Sequence, residues 1–325
     1  MTTHRNRLEA CLSGKKPDRT PISLWRHFPV DDQSAEGLAK AIINYQNTYD
    51  FDFIKVTPSS SYCLEDWGTK DEWLGSTEGT RDYTHRIISK PEDWIKLPLL
   101  DPYKGSLSKQ LSCLNILIDE FGYDIPIIQT IFNPLSQAKN LAGNQVLLSH
   151  MRRYPNLVHE GLAIISKSTQ LFIEALTKIG LQGIFYAVQH AQYGLLSPGE
   201  YDEFGMKYDL QVLEPTNEMW FNLLHIHGSD IMFDKFLDYP VQVLNWHDQE
   251  TSPNLKLGLE KFNGVVCGGL RRIETLVLGD SQSIEREAQA AIMNTNGVRF
   301  ILGTGCVVPI NAPFGNISAA RKSVE

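Results

Sequence analysis

Three residues carry the chemical signal in this chain. His225 and His227 stand two apart at the end of the apolar run Met219 to Ile226, and Cys306 lies near the C-terminus. If that run is a strand, side chains at i and i+2 point to the same face, so the two imidazoles stand side by side on one wall. A thiolate brought alongside from Cys306, just past the strand-like Val298-Arg299-Phe300-Ile301-Leu302, completes an N, N, S set. Such a set suits zinc and leaves a coordination position open for chemistry. The same residues also have a plainer reading, as hydrogen-bonded polar groups at a barrel mouth and a cysteine that fills space. Without a metal, His225 or His227 serves as a general acid or base, or orients a carboxylate.

The question is then which elements bring these side chains together. Strand-like runs begin near Ile22, Phe51, Ile125, Gly183, Met219, Val241, Gly264 and Val298. Helical spacing fills most of the intervals: Gly37 to Asn47, Ser106 to Glu120, Leu135 to Leu141, Val146 to Arg153, Pro155 to Ile179, Gly199 to Leu213, Asn254 to Phe262 and Ser283 to Asn294. Eight β units with crossovers of a dozen or more residues predict a parallel sheet closed as a (β/α)8 TIM barrel, one domain over residues 1–325. A short helical extension, Arg5 to Leu12, precedes it. Residues 69–105 form an excursion, in which Thr80, Tyr83, His85 and Ile87 alternate as a hairpin does.

Polar residues gather just past the C-terminal ends of these strands, and in a barrel those ends converge on one face, where the chemistry of this fold is found. That convergence predicts Arg26, His27, Asn133, Tyr186, Gln189, His190, Asn245 and Arg271 as substrate contacts, and adds His247 to His225 and His227 as catalytic. Alternation puts Asn245 and His247 on one face and Trp246 and Asp248 on the other, which argues against a His247–Asp248 dyad. Cys267, ending Val-Val-Cys, reads as core.

Composition bounds the alternatives. The 325 residues are 42% hydrophobic and 21% charged, with a formal charge of −8 and a pI near 5.6. That balance argues against a general nucleic-acid or anionic-membrane surface, and no apolar stretch approaches the ~20 residues needed to cross a bilayer. The opening Met-Thr-Thr-His-Arg-Asn-Arg-Leu lacks an apolar signal core. Five cysteines (Cys11, Cys63, Cys113, Cys267, Cys306), without a C-x-x-C pair, fit reduced thiols, and the expected location is the cytoplasm.

Taken together these residues resemble the uroporphyrinogen decarboxylase superfamily, which includes cobalamin-dependent methyltransferases acting on thiols. The similarity covers nearly the whole chain: Lys15 to Pro21, Asp52-Phe53-Ile54-Lys55, Ile131-Phe132-Asn133-Pro134-Leu135, Leu195-Leu196-Ser197-Pro198 with Tyr201 and Phe204, His225-Ile-His227-Gly, and Gly305-Cys306-Val-Val-Pro309 with Pro313 and Asn316-Ile317. In the methyltransferase branch zinc is held by an H-x-C pair and a distant Cys. The resemblance implies His225, His227 in place of that first Cys, and Cys306, a set less rich in thiolate and so a weaker activator of thiols. It also implies a corrinoid carried by a separate partner protein, a small-molecule substrate, and leaves a homodimer open. The decarboxylase branch uses an Arg-Gln-Ala-Gly-Arg type segment to grip tetrapyrrole carboxylates. Here the matching Leu24-Trp25-Arg26-His27-Phe28-Pro29 keeps one arginine, and Val188-Gln189-His190 stands where that branch has an Asp. Methyl transfer is therefore the leading expectation, tetrapyrrole decarboxylation the second, and a non-catalytic barrel binding a small ligand the third.

Overall fold

A computed structural model describes residues 2–325. Seven strands form one parallel sheet: β1 (Ile54–Val56), β4 (Ile127–Phe132), β5 (Gly183–Val188), β6 (Leu223–Ile226), β7 (Val243–Trp246), β8 (Val265–Leu270) and β9 (Phe300–Thr304). Every residue of these strands is buried, because helices cover the outside and side chains fill the inside. Contact between non-neighbouring strands shows that the sheet curls. Phe53, beside β1, packs edge-on against Phe221, beside β6, at 4.9 Å between centroids, and Trp25 packs on Phe185 of β5 at 5.4 Å.

The expected first strand, Ile22 to Leu24, is reduced to a single bridge between Ile22 and Leu302. The physical reason is local. Pro21 has no N–H to give a ladder, and the Ile22 N–H donates to the Asp52 carboxylate at 2.8 Å instead of to a neighbouring carbonyl. Residues 21–24 still close the ring. Leu302 N donates to Pro21 O at 2.8 Å, Ser23 N to Leu302 O at 3.2 Å, and Asp52 N to Ile22 O at 2.9 Å, so the segment lies between β9 and β1. The barrel thus has seven regular strands and one irregular eighth stave, where eight strands were expected.

Other boundaries move for similar reasons. The expected strand at Val298 starts at Phe300, because Arg299 sits at φ 51°, outside the extended region. The run from Met219 becomes strand only at Leu223, after Asn222 has spent its side chain on Thr216 O and Met219 O. Helices His4–Leu12, Ala35–Tyr49, Gly105–Phe121, Pro134–Ala142, Asn144–Arg153, Pro155–Lys178, Leu255–Lys261 and Ser281–Thr295 fall where the spacing predicted them. Phe314–Lys322 adds a terminal helix. The expected Gly199 to Leu213 helix is broken by a π-turn at Asp202–Met206 between Pro198–Tyr201 and Lys207–Leu213.

The excursion is an antiparallel hairpin, β2 (Lys70–Glu72) with β3 (Asp82–His85), whose loop folds back onto the barrel mouth. Glu78 pairs with Arg272 at 2.7 Å, and Thr77 O accepts from Ile310 N at 2.7 Å. Gly79 lies so close that a Cβ there would sit 2.5 Å from His27 Cβ, at a φ of +75°.

At the opposite end of the barrel, Asp52 is fully buried and accepts from Arg7, Arg19, His4 and Ile22 N. Burial works to raise its pKa, but the hydrogen bonds and charges of His4 and Arg19 outweigh that and hold it below the usual carboxylate range. A carboxylate depressed in the folded state contributes stability above its unfolded pKa and loses it as pH falls through the folded one. Asp52→Asn is therefore expected to cost about 3 kcal/mol at pH 7 by leaving buried arginines uncompensated. Urea denaturation should show the gap to wild type narrowing as pH drops below ~4, and a gap constant with pH would contradict the assignment.

Candidate metal centre

Strand register brings the site together. In the parallel ladder Ala187 of β5 pairs with His225 of β6, and His225 pairs with Asn245 of β7, so the i+2 residues His227 and His247 emerge side by side from adjacent strand ends. Beyond β9, Gly305 carries the chain past the β7 end. A Cβ on Gly305 would lie 2.6 Å from His247 Cα and 2.8 Å from Trp246 O, so only glycine lets Cys306 come this close.

The result is a compact set. One ligand atom from each of His225, His227, His247 and Cys306 lies within 4.8 Å of all the others. His247 Nε2 is 3.3 Å from His227 Nδ1, and Cys306 Sγ is 3.8 Å from that same nitrogen. Tetrahedral zinc, with Zn–N of about 2.05 Å and Zn–S of about 2.3 Å, has N···N edges of about 3.3 Å and N···S edges of about 3.6 Å. The donor types and spacings therefore fit such an ion.

The hydrogen bonds behind the cluster fix which ring nitrogen faces inward. Asn245 Nδ2 donates to Cys267 O at 2.8 Å and Thr304 O at 3.0 Å, which leaves Oδ1 as the acceptor toward His225 Nδ1 at 2.7 Å. His225 Nδ1 must then carry the proton, and its Nε2, buried and without a hydrogen-bond partner, presents a lone pair. His247 Nδ1 likewise donates to Glu250 Oε2 at 3.1 Å, which turns its Nε2 toward the cluster. This carboxylate–histidine arrangement is the outer support that metal-binding imidazoles use.

Electrostatics agree with the geometry. Burial alone would push the Cys306 thiol up, but the three imidazoles of His225, His227 and His247 gathered around it outweigh that and hold it well below the ordinary thiol range. Burial lowers His225. For His247 burial also works downward, yet Cys306 and Glu250 outweigh it and the pKa is raised. A proton and a divalent cation compete for the same thiolate and imidazoles.

The other residues expected at the site divide. His27 and His190 are buried, each with an Nδ1 that has no hydrogen-bond partner, and burial lowers both to about 3, so both are neutral. His190 Nε2 meets Asn144 Oδ1 at 3.2 Å, and Gln189 keeps a buried Oε1 without a partner. Arg26 turns its Nη1 to Ile310 O at 3.2 Å and its guanidinium onto Phe28.

Asn133 and Tyr186 are not brought to the cluster as substrate contacts. Both side chains are spent on Asp209, a fully buried carboxylate that also accepts from Tyr201 and Tyr239. Asn245 is buried behind His225 and supports it rather than lining a cavity. Arg271 is exposed, pairs with Glu287 at 2.6 Å and faces an outer groove of ≈720 Å³. Its neighbour Arg272 is the one that points inward, pairing with Glu78 and lying 3.6 Å from Glu250. Asp248 bonds Gly269 N on the far face, as alternation required.

Sequence reasoning placed His247 among catalytic residues but did not see it as a fourth donor, and it missed Glu250 and Arg272. A signal for His247 was available in the matched His225-Ile-His227 and Asn245-Trp-His247 patterns on consecutive strands. Cys267, read as core, has no exposed surface.

Comparisons with known proteins agree with the fold. The sequence profile of the family described as "Uroporphyrinogen decarboxylase (URO-D)" matches residues 3–325. A methylcobamide:CoM methyltransferase MtaA of Methanosarcina barkeri is 22% identical over 340 residues, covering 98% of this chain and 96% of its own length. The MtbA enzyme of the same description from Methanosarcina acetivorans is 22% identical over 241 residues, 74% of this chain and 68% of that one. Among solved structures, a methyltransferase from Methanosarcina mazei superposes with a TM-score of 0.87 at 19% identity, covering 99% of this chain and 98% of that one. That likeness is one of fold.

The centre predicts that the purified protein carries about one equivalent of zinc. Asn245→Leu removes no donor atom, yet should weaken zinc binding roughly 10- to 100-fold in chelator competition. Unchanged affinity in a folded Asn245→Leu protein would mean the amide plays no part in orienting His225.

Proposed function

We propose, from the premise that this chain belongs to the uroporphyrinogen decarboxylase family, that it is a corrinoid-linked methyltransferase. In this reading His225, His227, His247 and Cys306 hold a zinc ion at which a small thiol accepts the methyl group. The observation that carries it is the set of four convergent donors, two of them, His225 and His247, with their inward lone pairs fixed by Asn245 and Glu250. Relatives described as methylcobamide:CoM methyltransferases, similar over nearly the whole chain, support the same class. The methyl donor would be a corrinoid on a partner protein.

When bound among three neutral imidazoles and one thiolate, zinc would keep a net positive charge, lowering the pKa of an added thiol strongly at some cost in its nucleophilicity. The chain's own residues do the rest. Asn245 and Glu250 hold two imidazoles in the ligating tautomer, and Gly305 lets Cys306 reach them. The hairpin loop, tied down through Glu78 and Arg272, covers one side of the mouth and limits water. Buried, neutral His27 and His190 lie near enough to the cluster to feel Cys306 and His227, and do not compete as cations. In the transfer, the acceptor S–H proton leaves to solvent and the sulfur lone pair forms the new S–C bond. The methyl group would come from the corrinoid of the partner protein, which would keep the electron pair of the methyl–cobalt bond.

Tetrapyrrole decarboxylation has less support, since Arg26 is committed to Ile310 O and no second arginine stands in its segment. All five cysteines are free thiols, and among the described residues no helix is long and apolar enough to cross a membrane. We take the cytoplasm as the location.

The test is methyl transfer from methylcobalamin to small thiols, followed by loss of the methylcobalamin absorbance. Cys306→Ser and His225→Ala are expected to lower kcat/KM by at least ~100-fold. Full turnover in metal-stripped protein, or in either variant, would remove this reading.

A further inference from the structure

The groove of ≈720 Å³ that Arg271 faces lies on the outside of the barrel, between the helices Leu255–Lys261 and Ser281–Thr295 and over β8. Its size falls in the range of about 300–1,000 Å³ that drug-sized ligands occupy. Small residues shape it. Gly268 and Gly269 stand inside β8, where glycine weakens a strand and marks a close approach. A Cβ on Gly269 would sit 2.7 Å from Ala291 Cβ, at a φ of +107°, and one on Gly268 would collide with Asp248 Oδ1. The Ser281–Thr295 helix and the Asp248 carboxyl therefore lie directly on the strand. Ala290 and Ala291, with Leu255 from the other helix, supply an apolar wall.

Two polar features of the lining are incomplete. Asp248 is buried, and its Oδ2 accepts from Gly269 N at 3.1 Å and from Gln249 Nε2 at 2.6 Å, while Oδ1 has no partner. A buried carboxyl left half-bonded is costly whether or not it carries the proton. The Gln249 donor comes from a half-buried side chain of the same lining, so a ligand with two adjacent hydroxyls can displace it. One hydroxyl then takes the place of Gln249 on Oδ2, and its neighbour reaches Oδ1. The rim carries the second feature. Glu287 claims Arg271, whereas Lys256 and Arg286 are exposed and, among the described residues, pair with no carboxylate. The chain as a whole carries −8, so two unclaimed cations on one groove are a local exception to its composition.

We propose that this groove is a second binding site, for a ribonucleoside phosphate, with the ribose diol on Asp248, the base against Leu255 and the two alanines, and the phosphate on Lys256 and Arg286. An acidic side chain on ribose hydroxyls is a recurrent way of holding a nucleotide. The rival ligands fit less of the lining. Inorganic phosphate would leave Asp248 Oδ1 unsatisfied, and a free amino acid would leave most of the volume empty. The site is separate from the metal centre, because Asp248 and His247 point to opposite faces of the chain.

The experiment is calorimetric titration of the full chain with AMP, GMP, CMP and UMP, with the 2′-deoxy form of the tightest of them, and with inorganic phosphate. At least one ribonucleotide is expected to bind with Kd below about 1 mM, and at least about tenfold more tightly than phosphate. Ala290→Trp, which fills the groove from an exposed position, should abolish that binding, and Arg286→Glu should weaken it by about tenfold or more. Loss of the 2′-hydroxyl should cost about tenfold in wild type and less than about threefold in Asp248→Asn. Arg286 is exposed, so its reading stands even where Ala290→Trp fails to fold. Binding of none of the four ribonucleotides, or binding unchanged in both Arg286→Glu and a folded Ala290→Trp, overturns the site. A deoxy penalty that survives in Asp248→Asn overturns the place of the ribose, and phosphate bound as tightly as the nucleotides overturns the nucleoside reading.

Discussion

The amide of Asn245 is the point on which the centre depends. It carries no ligand atom, yet its three hydrogen bonds join four consecutive strands: His225 of β6, its own β7, Cys267 of β8 and Thr304 of β9. Because two carbonyls claim its N–H groups, its oxygen can only accept, and that single assignment fixes the His225 tautomer. The residue that decides how the histidine binds is thus neither adjacent to it in sequence nor part of the cluster. Buried hydrogen bonds of this kind are worth more for the geometry they impose than for their net energy.

Two buried carboxylates frame the barrel in contrasting ways. Asp52 sits among Arg7, Arg19 and His4 and uses charge to close the ring where Pro21 interrupts the ladder. Asp209 has no cation. It is held by the hydroxyls of Tyr186, Tyr201 and Tyr239 and the amide of Asn133, and burial, its largest influence, raises its pKa. The first joins the N-terminal helix and residues 18–22 to β1. The second ties the Lys207–Leu213 helix to β5 and to the turn after β4. Between them the mouth holds the His/Cys cluster together with His27 and His190, which burial keeps neutral.

Much of this was legible in the chain because the signals are local. Period-2 and period-3.6 spacing predicted most elements, and the clustering of polar residues at strand ends pointed to one face of one barrel. H-x-H at a strand end announced paired imidazoles. The failures also have local causes. Residues 21–24 read as a strand because their side chains suit one, and the competing Asp52 carboxylate is thirty positions away. Arg271 was read as a mouth residue because it follows the strand-like run from Gly264, and only the turn after β8 decides that it is the guanidinium of Arg272 that faces inward. Asn133 and Tyr186 were read as mouth residues, since nothing nearby reveals that Asp209 will claim them.

Residue type and spacing by themselves determined the fold class, the donor chemistry and the pairing of His225 with His227. These follow from alternation and periodicity, which act over a few residues. What only the tertiary structure decided is the completion of the site: His247 as a fourth donor, and Asn245 and Glu250 as the groups that orient the rings. Each depends on strand register and on which side chains meet inside a closed sheet. Those distances are set by the packing of the whole barrel, and no window of sequence contains them.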